Sequence, residues 1–129
     1  GLSRSNSPQL SAALSQLSGI MQYVIVDCNQ PKVLLRQEIN FLQSYIELER
    51  LRYEKDTVIE MKITGEANDQ TILPLLLIQF VENAFKHGVS NSSKNAFVNI
   101  SISIEGNNCV YFVENNKILS KNELEKFML

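Results

Sequence analysis

The chain of 129 residues has no tryptophan, a single histidine, two cysteines, three prolines and five glycines. Its two cysteines, Cys28 and Cys109, lie far apart and show no metal-ligand spacing. That excludes a disulfide-stapled scaffold and a zinc module, and reduced thiols in a cytoplasmic protein are expected. Neither sign of charge dominates: 12 basic against 14 acidic residues give a net charge of -2 and a pI of about 5.4. A basic footprint for nucleic acid is therefore missing. No apolar run approaches the roughly 20 residues of a membrane-spanning helix, and no signal peptide is evident. Internal repeats and low-complexity stretches are also absent. The length suits one ordinary domain, or a small domain with a helical extension.

What is present divides near residue 54. Ser7 and Pro8 suit a helix entry, with serine as N-cap and proline in the first turn. Leu10, Leu14, Leu17, Met21 and Val24 then recur at spacings of four, three, four and three. This is the seam of a helix that packs against another helix. "DCNQP" (Asp27 to Pro31) breaks it, and a second helix is expected from about Val33 to Tyr53. That helix carries two apolar rows, Leu35-Ile39-Leu42-Ile46 and Leu34-Phe41-Tyr45-Leu48, so neighbours are expected on two sides.

After residue 54 the period changes. "TVIEMKIT" (Thr57 to Thr64) alternates strictly, which marks a half-buried strand. "GEANDQ" is a loop, with Asp69 or Thr71 as cap for a helix that tolerates Pro74 in its first turn and stops at Gly88. "FVNISISI" and "CVYFVEN" joined by "EGNN" read as a hairpin. The tail, with Ser120 as cap and Glu123 three residues on, predicts a short helix. The expected fold class is α+β: a helical hairpin over residues 1–54, then helix over antiparallel sheet over residues 55–129.

The helix containing "IQFVENAFKHG" (Ile78 to Gly88) is the most apolar in the chain, yet Gln79, Glu82, Asn83 and Lys86 recur on it at i, i+3, i+4 and i+7. They form one stripe, and His87 follows. Leu73, Leu76, Leu77, Phe80, Val81 and Ala84 cover much of the remaining circumference. A carboxylate, an amide oxygen, a cation and an imidazole are the types that a magnesium–phosphate ligand needs. The same stripe also reads as an ordinary solvated face with a Glu82-Lys86 pair, and the residue types alone leave both readings open.

"LLLIQFVENAFKHG" resembles the N-box of the histidine-kinase branch of the GHKL ATPases, specifically the LytS/YehU-like sensor histidine kinases. Upstream, "VLLRQEINFLQSYIELERLRYEKD" is similar to that family's second dimerisation helix, and "VYFVENNK" looks like the strand ending in its adenine-reading motif. The resemblance covers roughly residues 15 to 118. It implies a dimerisation-type helical segment over 1–54, then the N-terminal half of a Bergerat-type α/β sandwich ATPase domain over 55–129. It implies ATP and Mg²⁺ as cofactors, with Asn83 as magnesium ligand and Glu82 as the catalytic acidic residue of phosphoryl transfer. Lys86, His87 and Gln79 would lie on the nucleotide side, and Asn115 where adenine is read. Implied partners are a second copy of the chain, through the N-terminal helices, and a response regulator. The resemblance also implies the cytoplasmic portion of a bacterial inner-membrane sensor, with membrane contact left to parent segments.

Departures from the family pattern are specific. Asn115 stands where an aspartate is usual, and Lys117 where a glycine is frequent. The phosphoacceptor histidine belongs to an upstream "PHF" segment that this chain lacks, so His87 is not the phosphorylated residue. No glycine follows Lys117, so the glycine-rich phosphate box is missing. The chain is therefore expected to be an internal piece, inactive alone. Two alternatives stand beside this reading: a non-catalytic dimeric interaction module with a degenerate ATPase-like domain, and an ATP-hydrolysing protein of the chaperone or repair type.

Overall fold

Alternation in the C-terminal half of the sequence becomes a sheet with one buried face. The computed structural model describes residues 2–53, 57–87, 96–116 and 119–123, and side chains within them except at 2–7, 87 and 119–123. Four strands, β2 (Val58–Thr64), β4 (Phe97–Glu105), β5 (Asn108–Asn115) and β6 (Leu119–Glu123), form a sheet in the order β2-β4-β5-β6. Val98, Ile100, Ile102 and Ile104 of β4 are buried together with Cys109, Tyr111 and Val113 of β5. On β2, Ile59 is buried while Glu60 and Lys62 are exposed. β2, β4 and β5 thus point every second residue at one core, as the period of two requires.

The sheet is mixed, which corrects the antiparallel expectation. β2 runs parallel to β4, because the chain leaves β2, crosses over through a helix and returns in the same direction. β4 and β5 form the expected hairpin, with Glu105 paired to Asn108. Its loop is only Gly106 and Asn107, and Gly106 takes φ 60. A glycine with positive φ at the first of two loop residues suits a primed hairpin turn, whose twist matches the strands.

The tail is a second correction. Residues 119–123 pair antiparallel with β5 instead of forming a capped helix. A short capping box supplies little, whereas the open edge of β5 offers a row of unpaired backbone groups. Residues 124–129 lie outside the described residues.

Helices α1 (Leu2–Gln22), α2 (Leu35–Arg52) and α3 (Leu76–His87) complete the fold. α1 begins at Leu2, so Pro8 falls inside it and not at its entry. A π-helical turn over Tyr23–Asp27 follows, where Cys28 N–H donates to the Tyr23 carbonyl at 2.8 Å. Residues Ala13, Gln16, Ile20 and Tyr23 form the less exposed line of α1. Leu10, Leu14, Leu17 and Met21 are exposed by 42 to 54 %, so the apolar seam points away from α2.

α2 is the structural hub. Leu35, Ile39, Leu42 and Ile46 are all buried. From the second row, Phe41 stacks on Tyr23 at 4.7 Å and Tyr45 meets Phe85 of α3 edge-on at 6.1 Å. Arg50 fastens the end of α2 to the sheet, donating through Nε and its second guanidinium nitrogen to the Ile59 carbonyl at 3.2 and 2.8 Å.

A two-residue ladder, β1 (Val33–Leu34) with β3 (Thr71–Ile72), joins the entries of α2 and α3. Thr71 is therefore a strand residue and not a helix cap, and α3 starts only at Leu76. Gln70 ties this junction together. Its amide donates to the Gly106 carbonyl at 2.7 Å, its Oε1 accepts from Asn68 N–H at 2.6 Å, and its own carbonyl accepts from Leu35 N–H at 2.8 Å.

Candidate functional site

α3 is amphipathic in an unusual sense: greasy on the sheet side and chemically rich on the other. Leu77, Ile78, Val81, Ala84 and Phe85 are buried, while Gln79, Glu82, Asn83 and Lys86 are all exposed. The sequence stripe is therefore one accessible face, backed by a sheet. Amide and carboxylate oxygens at Asn83 and Glu82 are hard donors of the kind magnesium takes, and Lys86 carries a cation, the kind of group that pairs with phosphates. His87 closes α3, and its side chain lies outside the described residues, as do residues 88–95, which follow it.

The helix is held at three points. At its start, Leu76 N–H donates to Glu38 Oε1 at 3.1 Å. One residue on, the Tyr111 hydroxyl donates to the Leu77 carbonyl at 2.9 Å. In the last turn, Asn115 Nδ2 donates to the Ala84 carbonyl at 2.8 Å. The last four carbonyls of a helix have no partner within it, so Asn115 works as a cap supplied by the neighbouring strand. It is 5 % exposed. Asn115 and the Asn83 turn are thus brought together, with Asn115 beneath the helix and Asn83 on its outer face.

α2 carries a second buried acidic group besides Glu38. Glu49 is buried, and among the described residues its Oε2 has no hydrogen-bond partner. The Arg52 guanidinium stands 3.7 Å from that oxygen. Burial raises the Glu49 pKa, the charge of Glu82 adds to the rise, and Arg52 opposes it. Burial also raises the Tyr45 phenol, with the charges of Glu49 and Glu82 adding.

Glu38 and Tyr23 were not singled out by sequence reasoning. Glu38 looks like any polar helix residue, and only its place between two apolar rows hints at burial. Burial raises its pKa, while hydrogen bonds from Tyr23 and from the backbone of Leu75, Leu76 and Leu77 oppose the rise. A cavity of about 230 Å³ between α1 and α2 is lined by Tyr23, Asp27, Gln37, Asn40 and Ser44 among others. It includes none of the stripe residues.

A long exposed-seam helix, a hub helix and a helix with one polar face over a mixed sheet make up the α+β fold of the described residues. Residues 1–57 match the family model described as histidine kinase. The chain is 28 % identical over 97 residues to the sensor protein kinase HptS of Staphylococcus aureus strain USA300, and equally to that of strain NCTC 8325. Those alignments cover 74 % of this chain and 18 % of the relative, so the chain spans under a fifth of the curated proteins it matches. Over these stretches the chain is similar to sensor histidine kinases.

Proposed function

We propose that this segment joins the dimerisation stem to the ATPase domain of a LytS/YehU-like sensor histidine kinase, with residues 1–54 in the stem and 55–129 in a Bergerat-type ATP-binding domain. The parent would bind ATP with Mg²⁺ and transfer the γ-phosphoryl to a histidine on another segment, then to a response regulator. The observation that carries this reading is the exposed row Gln79, Glu82, Asn83 and Lys86, held on a helix that is bonded to its surroundings at both ends.

In this reading Asn83 holds the metal through its amide oxygen. Lys86 and His87 offset phosphate charge, and Gln79 contributes a further polar contact. Glu82 orients or accepts the proton of the attacking imidazole. The bound metal neutralises charge on the phosphates. Asn115 accepts from the adenine amino group through its carbonyl oxygen while its amide nitrogen stays on Ala84. The seam of α1 pairs with a second copy, and the parent sits at a bacterial inner membrane through segments other than these. The segment alone is expected to be inactive, because its only histidine belongs to the nucleotide helix.

Radiolabelled γ-ATP and the intact kinase provide the test. Acid-labile, base-stable phosphate should appear on a histidine outside this segment. Glu82→Gln should lower that rate by roughly 10²–10⁴-fold, the span of a lost acid–base group, with ATP still bound. Full labelling of the Glu82→Gln protein would refute the role given to Glu82.

One observation favours the alternative of a dimeric interaction module: Asn115 is buried and commits its amide nitrogen to the helix. In that case the α3 face would bind protein, and Mg–ATP would neither bind nor label the intact protein.

A further inference from the structure

Glu38 is the most buried charged side chain among the described residues, 1 % exposed. A carboxylate removed from water is costly unless its oxygens are bonded. Here both are: Oε2 accepts from the Tyr23 hydroxyl, and Oε1 accepts from Leu76 N–H at 3.1 Å. The three elements that meet on this one group are the π-helical turn ending α1, the first turn of α2 and the first turn of α3. A packed hydrophobic side chain would fill the same space at no electrostatic cost. What it would not do is fix the N-terminus of α3, where free N–H groups and the helix dipole favour a negative charge.

The backbone at this junction is strained. Leu75 takes φ 63, the one left-handed non-glycine residue among the described residues. It immediately precedes the residue that Glu38 holds. A side chain with a Cβ is disfavoured in that conformation, so the entry to α3 rests in a geometry that needs outside support. Asn83 lies seven residues on, about two helical turns from the anchor.

We propose that Glu38 is a positioning residue for α3, and that Tyr23 makes its hold depend on the stem helix. The inference rests on the nucleotide reading of the α3 face and adds to it a route by which the stem sets the helix. A rotation of α1 carries the Tyr23 hydroxyl with it and loads or releases the carboxylate that seats Leu76. By linkage, a ligand that tightens α3 must also bias Tyr23.

Amide hydrogen exchange on this chain tests the link without nucleotide, comparing wild type with Tyr23→Phe, Glu38→Gln and Glu38→Ala. In Tyr23→Phe, exchange at Leu76 to Phe80 should rise about 5-fold, the effect of one lost hydrogen bond. The amides of β4 and β5 should keep their wild-type protection. Glu38→Gln should stay near wild type, because its oxygen still accepts from Leu76 and its amide can donate to the Tyr23 oxygen. Glu38→Ala should exceed both. Unchanged exchange in α3 of Tyr23→Phe, or an equal rise across β4 and β5, would overturn the link. Should Glu38→Ala fail to fold, the Phe and Gln chains still decide it.

A second arm measures Mg–ATP affinity of the intact kinase. Several-fold weaker binding by Tyr23→Phe supports positioning, and unchanged binding overturns it. If wild type itself does not bind, the nucleotide reading fails, and the exchange result still decides whether Tyr23 holds α3.

Discussion

Asn115, at the end of β5, donates its side-chain amide to the Ala84 carbonyl in the last turn of α3 at 2.8 Å. Strand and helix are thereby locked at the turn that carries Asn83. An aspartate at position 115 would set an acceptor against an acceptor. Asn115→Asp should therefore destabilise the chain by about 1–3 kcal/mol, the penalty of an unsatisfied buried group. The loss should be smaller in acid, because a buried aspartate facing a carbonyl has its pKa raised and stays protonated there. Urea unfolding at two pH values measures this, and an Asp variant as stable as wild type would show that the bond contributes nothing.

Gly65 has φ 89, and a Cβ there would stand 2.0 Å from the Ile104 carbonyl oxygen. Gly106 also has positive φ, but a Cβ on it would meet nothing within 4 Å. Gly65→Ala should cost roughly 2–4 kcal/mol, strain and backbone overlap together. Gly106→Ala should cost only about 1 kcal/mol. Thermal unfolding of the two variants gives the ranking, and equal losses would contradict the close approach.

Glu49 should make stability fall with pH. Its folded-state pKa is raised, first by burial and then by Glu82, against the pull of Arg52. The folded state therefore holds a proton that the unfolded state has released. This contribution is full below the ordinary carboxylate range and is lost as pH rises through the raised value. Glu49→Gln should stabilise the chain at neutral pH by roughly 1 kcal/mol, with a smaller gain at pH 5. A gain that shrinks as pH rises would contradict the assignment.

Much of this architecture is written as periodicity. The buried row of α2 and the inward faces of β2 and β4 follow directly from spacings of four, three and two, and so does the grouping of Gln79, Glu82, Asn83 and Lys86 on one face of α3. Several features without a period were not legible. β1 and β3 are two residues each, too short to alternate. The parallel pairing of β2 and β4 depends on where a crossover returns. The tail carried a helix-cap signal, yet residues 119–123 joined the sheet because an open edge stood beside them. Glu38, Tyr23 and the capping role of Asn115 are contacts across 15 to 38 residues of sequence, and nothing local announces them.

The seam of α1 gives a prediction about assembly. Leu14 and Leu17 are 54 and 42 % exposed, and an apolar row in water is stabilised by partnering. Sedimentation should find wild type dimeric and a Leu14→Glu, Leu17→Glu chain monomeric, with unchanged circular dichroism. A wild-type chain that stays monomeric at high concentration would contradict the pairing.

Titration of Mg–ATP into the intact kinase, beside its Asn83→Ala variant, bears most directly on the role of the α3 face. The account predicts binding by wild type that weakens at least about tenfold in the variant, as for loss of a metal ligand or its support. Equal affinities, or no binding by either protein, would contradict it.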